Sequence, residues 1–478
     1  MFFSQGLDTL KVPRQLHADN RKKLLARFKT SEVPENAIIL LKGGCSTPID
    51  DSDIEYVFKQ ESNFQYLFGV KEPDCYGMLD MKGKATLFIP KMPESLQPIL
   101  GRIMPPEHYA KMYELDECYH TCDIPSVIAR VNPDLIYILS GTNSDSGIPL
   151  AQPHFEGMEK YRVDAGKLVA DIYECRLIKT PGEIEVMRYA VKASAEAQKA
   201  VMRAVKPGMM EYQLEATFLH HMYFHYGCRT CGYTPICAAG ERTAVLHYGH
   251  AGAPNDQPIK DGDMILMDCG TEYHCYDGDL TLSYPANGKF TDDQKEVYES
   301  VYAVLRGVEA AMKPGVLWPD MHRLADRIIC TELKKRGFLQ GDIEEMQKYH
   351  IGALFMPHGL GHLLGLDTHD VGGYPRGTSR INEPGICKLR SGRVLQPGMI
   401  TTVEPGIYFN VFLLEPAYQD ENKKKFLVWD KLQKFMKFGG IRLEDDVLIT
   451  ENGIEILDDV PRTIEEIENF MAGKPYKN

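Results

Sequence analysis

Two short segments of this chain occur twice, in the same order, and that duplication limits the folds open to it. Ala204-Val205-Lys206-Pro207-Gly208 returns as Ala311-Met312-Lys313-Pro314-Gly315. A helical stretch precedes each copy and another follows. Further along, Gly262-Asp263-Met264-Ile265-Leu266-Met267-Asp268-Cys269-Gly270 aligns with Gly398-Met399-Ile400-Thr401-Thr402-Val403-Glu404-Pro405-Gly406. Each copy reads glycine, a strand ending on a carboxylate, one residue, glycine. Either match alone is weak. Two in one order predict two related α+β halves facing each other, with a site between them that takes one carboxylate from each.

The duplication occupies the later part of a chain of 478 residues, long enough for two or three domains. We expect an N-terminal non-catalytic α/β domain over residues 1–162 and a C-terminal α+β catalytic domain over 163–478. In the first, Ala37-Ile38-Ile39-Leu40-Leu41 reads as a buried strand, and Met78–Met81 and Ala85–Ile89 flank Lys82-Gly83-Lys84 as a hairpin. Nothing there gathers ligand-type residues. Past the boundary, Thr180-Pro181-Gly182-Glu183 carries a helix start: Thr as N-cap, Pro at the first turn, Glu closing a capping box. Ile184, Met187, Val191 and Ala195 follow at helical spacing. Thr291-Asp292-Asp293-Gln294 opens a second helix in the same way.

A net charge of −13 argues against nucleic acid as a partner, because a phosphate backbone demands a basic face. The longest apolar runs are far too short to span a bilayer, so no membrane partner is expected. The first residues lack a basic segment followed by an apolar one, and the expected location is cytoplasmic. Twelve cysteines scattered over so long a chain do not form a disulfide framework. Cys228-Arg229-Thr230-Cys231 lacks a second pair at zinc spacing and reads as free thiols.

Asp268 ends an apolar strand, and an Asp there is costly if buried alone. Asp279 follows eleven residues later and precedes a second apolar stretch, Leu280–Tyr284. Strands paired as a hairpin would bring both carboxylates to one face. In Pro357-His358-Gly359-Leu360-Gly361-His362 the histidines stand at i,i+4, but two glycines oppose a helix, so a loop is expected with either histidine free to be a ligand. Glu404 and Glu444 each sit within or at the end of a β-type run. Singly these are ordinary strand acids. Together, two Asp, two Glu and one His make a hard, oxygen-rich set that suits two divalent ions such as Mn²⁺ better than structural zinc. Without metal the same cluster would repel itself.

At this point the chain resembles the pita-bread metallopeptidases, on their Xaa-Pro dipeptidase side. The resemblance runs over essentially the whole chain. It is carried by Glu61–Val70, Arg176–Glu185, His247-Tyr248-Gly249-His250-Ala251-Gly252, the two Asp strands, His358–Asp370, Thr402–Gly406 and Gly439–Asp445. It implies an internal pseudo-two-fold and a five-ligand cage. Asp268 holds one ion, Asp279 and Glu444 bridge both, and His362 and Glu404 complete the second. It also implies that His247 and His369 line the substrate near the scissile bond and that Arg390 binds a terminal carboxylate. Arg442 is expected to orient Glu444 or touch substrate, and Tyr233 to line the pocket. The implied reaction is hydrolysis of dipeptides ending in proline: hydroxide shared by the two ions attacks, with Glu404 as general base and His369 beside the oxyanion. A homodimer is implied as well. The longer stretch between His362 and Glu404 favours a dipeptidase over an aminopeptidase P acting on longer Xaa-Pro peptides. A non-catalytic binding module on this scaffold would have lost ligands that are all present here.

Overall fold

A computed structural model describes residues 1–249, 255–375 and 377–475. The chain forms two compact units. The first comprises Met1–Ser4, Lys11–Arg176 and Thr180–Glu183; the second comprises Gln5–Leu10, Leu177–Lys179 and Ile184–Asn478.

The first unit is built on one six-stranded sheet. Its spatial order is Glu117–His120, Ala85–Ile89, Tyr76–Asp80, Ala37–Lys42, Leu135–Tyr137, Val163–Asp164. Only Tyr76–Asp80 runs against the rest. The expected hairpin is present: Asp80 Oδ1 accepts from the amides of Lys82 and Lys84 at 2.9 Å each, closing the turn. Ala37–Leu41 is fully buried, as a strand covered on both faces must be. Ile38, Leu40 and Ile136 pack with Ile124, Val127 and Ile128 of the helix Ile124–Val131, each side chain contributing about 1.5–3 kcal/mol of burial.

The second unit is α+β and carries the duplication. The helices Pro181–Ala204 and Asp292–Ala311 each end at the repeated turn, and Glu211–Tyr226 and Trp318–Lys335 follow. Both helix starts read from sequence are capped as expected: the Thr180 amide donates to Glu183 Oε2 at 2.8 Å, and the Thr291 amide donates to Gln294 Oε1 at 2.9 Å. Met210 bridges Pro258 in one half and Leu317 bridges Val394 in the other, two residues past the turn glycine in each case. Gly262 and Gly398 adopt the same left-handed backbone, φ +85° and +86°. The strand Met264–Asp268 lies between Ile236–Ala239 and Thr281–Pro285. Its counterpart Ile400–Val403 pairs with Asp445–Ile449, while the 360–364 segment runs along its other side. Leu363 stands opposite Thr401 in the register that sets Ala239 opposite Ile265.

Two expectations are refined. Met264–Asp268 and Thr281–Pro285 pair antiparallel, but not as a simple hairpin: Thr271–Tyr273 and Tyr276–Asp277 form a separate one between them. Residues 440–445 are not one strand. Gly440–Arg442 pairs with Gly406–Tyr408 and Asp445–Ile449 with Ile400–Val403, leaving Glu444 at the step between two sheets.

Candidate metal centre

All five expected ligands come from strand ends or from the loop beside them. Asp268 ends the Met264–Asp268 strand and Glu404 follows Ile400–Val403. Asp279 lies two residues before Thr281–Pro285. The 357–362 stretch is a loop, as its glycines required. Two close approaches make the convergence possible. A Cβ at Gly270 would meet the Gly278 carbonyl oxygen at 1.8 Å, and one at Gly361 would meet that of Thr402 at 2.1 Å. Neither backbone could move in so far with a side chain present.

Ligand-type atoms of Asp279, His362 and Glu444 lie within 4.8 Å of one another, and all three residues are buried. His362 Nε2 is 3.3 Å from Asp279 Oδ2 and 3.4 Å from Glu404 Oε1. Its Nδ1 faces the Leu363 carbonyl at 3.1 Å, which leaves Nε2 for the carboxylates. The Tyr233 hydroxyl is shared between Asp268 Oδ1, at 2.6 Å, and Asp279 Oδ1. Thr281 Oγ1 donates to Glu444 Oε2 at 2.6 Å.

Two of the residues expected around the substrate also bond to the carboxylates. Arg442 was to orient Glu444 or touch substrate. Its guanidinium donates to Asp268 Oδ2 at 2.6 Å, the Tyr408 hydroxyl at 2.8 Å and Thr281 Oγ1 at 3.1 Å. Through Thr281, whose hydroxyl donates to Glu444 Oε2, the same guanidinium is linked to Glu444 as well. Tyr233 likewise ties two carboxylates together. His358, whose role the sequence left open, has Nδ1 facing the Gly359 carbonyl at 2.8 Å and 3.8 Å from Glu404 Oε2, and Nε2 facing the Tyr408 hydroxyl at 3.1 Å.

The electrostatics of this cluster without metal follow from burial. Burial raises the Glu404 carboxyl to about 7, against the pull of His362 and Arg442 and with help from Asp279 and Asp268. Glu444 is raised well above the usual carboxylate range by burial, then by Asp279 and Glu404. Burial alone would lower the His362 imidazole; Asp279 and Glu404 outweigh it. Four crowded carboxylates, with Asp279 and Glu444 buried, need cationic charge to ionise together, and the buried Arg442 is one cation among them. Hard oxygen donors plus one imidazole nitrogen fit divalent metal. His369 packs edge-on against His362, ring centroids 4.5 Å apart. Burial pushes its imidazole down to about 2, and the charges of His362, Arg390 and His247 add to the effect, which places these groups around it. Of the run His247–Gly252, residues His250, Ala251 and Gly252 lie outside the described residues.

A crowded carboxylate site between two duplicated α+β halves, in a chain that also carries a separate mixed-sheet unit, defines the class of metal-dependent hydrolases of pita-bread architecture. The comparisons agree. Residues 185–451 match metallopeptidase family M24 and residues 17–137 match the aminopeptidase P N-terminal domain. The chain belongs to metallopeptidase family M24. It is 51% identical over 473 residues to a Xaa-Pro dipeptidase of Homo sapiens, covering 98% of this chain and 96% of that one. It is 36% identical to a probable Xaa-Pro aminopeptidase of Verticillium alfalfae, over 97% of each chain. Among solved structures, zinc-substituted Escherichia coli aminopeptidase P in complex with product superposes with a TM-score of 0.78 at 28% identity, covering 98% of this chain and 99% of that one.

Proposed function

We propose that this chain is a metal-dependent Xaa-Pro dipeptidase. The observation that carries the reading is the buried cluster of Asp279, His362 and Glu444, with Glu404 against His362 and Asp268 joined to Asp279 through the Tyr233 hydroxyl, beside His369 and Arg390. The greater identity to a dipeptidase than to an aminopeptidase supports the substrate. Asp268 would hold one ion, Asp279 and Glu444 would bridge, and His362 Nε2 and Glu404 would complete the second. Two ions, proposed as Mn²⁺, supply Lewis-acid activation of water and of the scissile carbonyl.

The chain's own groups do the rest. Glu404 takes the proton from the attacking water and passes it to the leaving proline nitrogen. His369, whose imidazole is held below its ordinary value, donates a ring N–H to the developing oxyanion. Arg390 forks onto the substrate's terminal carboxylate, and His247 lines the same side. The bond before proline carries no N–H, so the site has no donor to satisfy there. We include a homodimer and a cytoplasmic location in this reading. Free thiols at all twelve cysteines suit a reducing compartment, and among the described residues no helix is long and apolar enough to cross a membrane.

The test is hydrolysis of Gly-Pro, Gly-Pro-Ala and Pro-Gly after chelation, with and without added Mn²⁺. Metal-dependent cleavage of Gly-Pro alone is expected. Cleavage of the tripeptide would move the reading to aminopeptidase P and demote Arg390, and no cleavage with metal bound would sink it.

A pH effect follows from the raised carboxyls. In the metal-free protein Glu404 holds its proton up to about 7, whereas unfolded it would ionise near the ordinary Glu value. The native state therefore binds more protons between those values, and metal-free stability falls as pH rises through that window. Metal binding must expel the protons, so affinity rises with pH. Calorimetry at pH 6 in buffers of different ionisation enthalpy should show proton release that shrinks by pH 8. Uptake without proton release at pH 6 would refute the shift.

A further inference from the structure

Beside the carboxylates lies a second group of buried charge that the reaction does not use. Arg462 is its centre and is 4% exposed. One guanidinium nitrogen donates to the Thr281 carbonyl at 2.8 Å. The other donates to the Glu444 carbonyl and pairs with Asp445 Oδ1. Asp445 is itself fully buried and is held from its other oxygen by Arg306 Nη1 at 3.1 Å. The Arg462 carbonyl accepts from the Tyr298 hydroxyl at 2.8 Å, which pins this end of the chain to the helix Asp292–Ala311.

The carbonyls that Arg462 grips are not arbitrary. Thr281 stands two residues after Asp279, and its own hydroxyl bonds Glu444 Oε2 at 2.6 Å. The Glu444 amide donates to that same Thr281 carbonyl at 3.1 Å. Asp446, next to Asp445, accepts from the Asp279 amide at 2.9 Å. Asp445 pairs across the sheet with Val403, the residue before Glu404. One guanidinium thus sits where three ligand-bearing segments, at 279–281, 403–404 and 444–445, come together, and no single strand pairing joins all three.

We propose that Arg462 is a positioning residue for the metal centre. Anchored on Asp445, its fork holds the Thr281 and Glu444 carbonyls at fixed separation and so sets the spacing of Asp279 and Glu444. Its positive charge also lies close behind a group of carboxylates that must all be ionised to bind cations. Arginine is required because a lysine ammonium is a point donor and cannot span two carbonyls and a carboxylate with planar geometry.

The inference rests on the metal-centre reading, and the experiment separates the two. Chelator-stripped wild type and Arg462→Lys are titrated with Mn²⁺, following the signal of free aqueous Mn²⁺ by electron paramagnetic resonance, with melting of each metal-free protein measured alongside. Wild type is expected to bind, and Arg462→Lys to keep a cooperative melt while its affinity falls roughly 10–100-fold, the range for loss of a group orienting metal ligands. Arg462→Lys binding Mn²⁺ as wild type does, with a cooperative melt, overturns the inference. Wild type binding none overturns the metal reading itself. Should Arg462→Lys not fold, Asp445→Asn keeps the guanidinium and the side-chain shape while weakening its anchor. A loss of affinity is expected there too, and unchanged affinity overturns the proposal.

Discussion

Replacing Glu404 by Gln should leave a folded protein that needs more metal to fill its site and, once filled, turns over Gly-Pro roughly 10²–10⁴-fold more slowly, the range for losing a general base. The amide keeps the shape of the carboxylate, and its oxygen can still accept from Thr402 Oγ1, now 3.2 Å from Glu404 Oε1. What it cannot do is hold a proton between attack and departure of the proline nitrogen. No neighbour stands in for it. His362 offers Nε2 to carboxylates, and burial holds His358 down at about 3, with Nε2 against Tyr408 and Nδ1 against Gly359. The check is the rate of a single turnover at saturating Mn²⁺, with metal content measured on the same sample. A variant with full metal and a rate within tenfold of wild type would remove Glu404 from proton transfer.

The helix starts, the first-unit hairpin and the relation between Asp268 and Glu404 were legible because each depends on local chemistry or on a repeated string. Thr180 and Thr291 reach only three residues to their capping partners. The glycine-strand-carboxylate repeat survives in the backbone angles of Gly262 and Gly398. The symmetry carries only one pair of ligands, however. Asp268 stands opposite Thr281, and the matching register sets Glu404 against Glu444, so Thr281 occupies the place that Glu444 takes in the other half. Counting two residues back, Arg442 stands where Asp279 does. The two halves have exchanged chemistry: a hydroxyl for a carboxylate at one place, a guanidinium for a carboxylate at the other. Those exchanges create the contacts between Thr281 and Glu444 and between Arg442 and Asp268. The second of these spans 174 residues. Periodicity and motif spacing hold no information about such a pairing, which exists only once the two sheets meet. Arg462 was missed for the same reason. Asp458-Asp459-Val460-Pro461-Arg462 reads as a charged surface loop, and only burial of Arg462 against two carbonyls shows otherwise.

Lys179→Met should destabilise the protein by about 3–5 kcal/mol, the cost of removing one partner from a buried ion pair. Lys179 Nζ lies 3.0 Å from Asp370 Oδ2, and both side chains are 1% exposed. Methionine matches the length of the lysine stem, so packing is kept while the Asp370 carboxylate loses this cation in a site that water does not reach. Protonating Asp370 or admitting water would relieve the charge, and either costs folding free energy. The effect extends to function, because Asp370 follows His369 directly and its amide closes the loop by donating to the Leu363 carbonyl at 2.9 Å, beside His362. A carboxylate that turns toward solvent drags on that loop. The loss of stability should therefore come with a fall in kcat for Gly-Pro that added metal does not restore, since the role proposed for His369 is on the oxyanion and not on the ions. Urea unfolding and steady-state kinetics on one preparation would check both. A loss below about 1 kcal/mol would place the pair with exposed salt bridges in energetic worth, and a full loss of stability with kcat unchanged would show that the loop holds His369 without it.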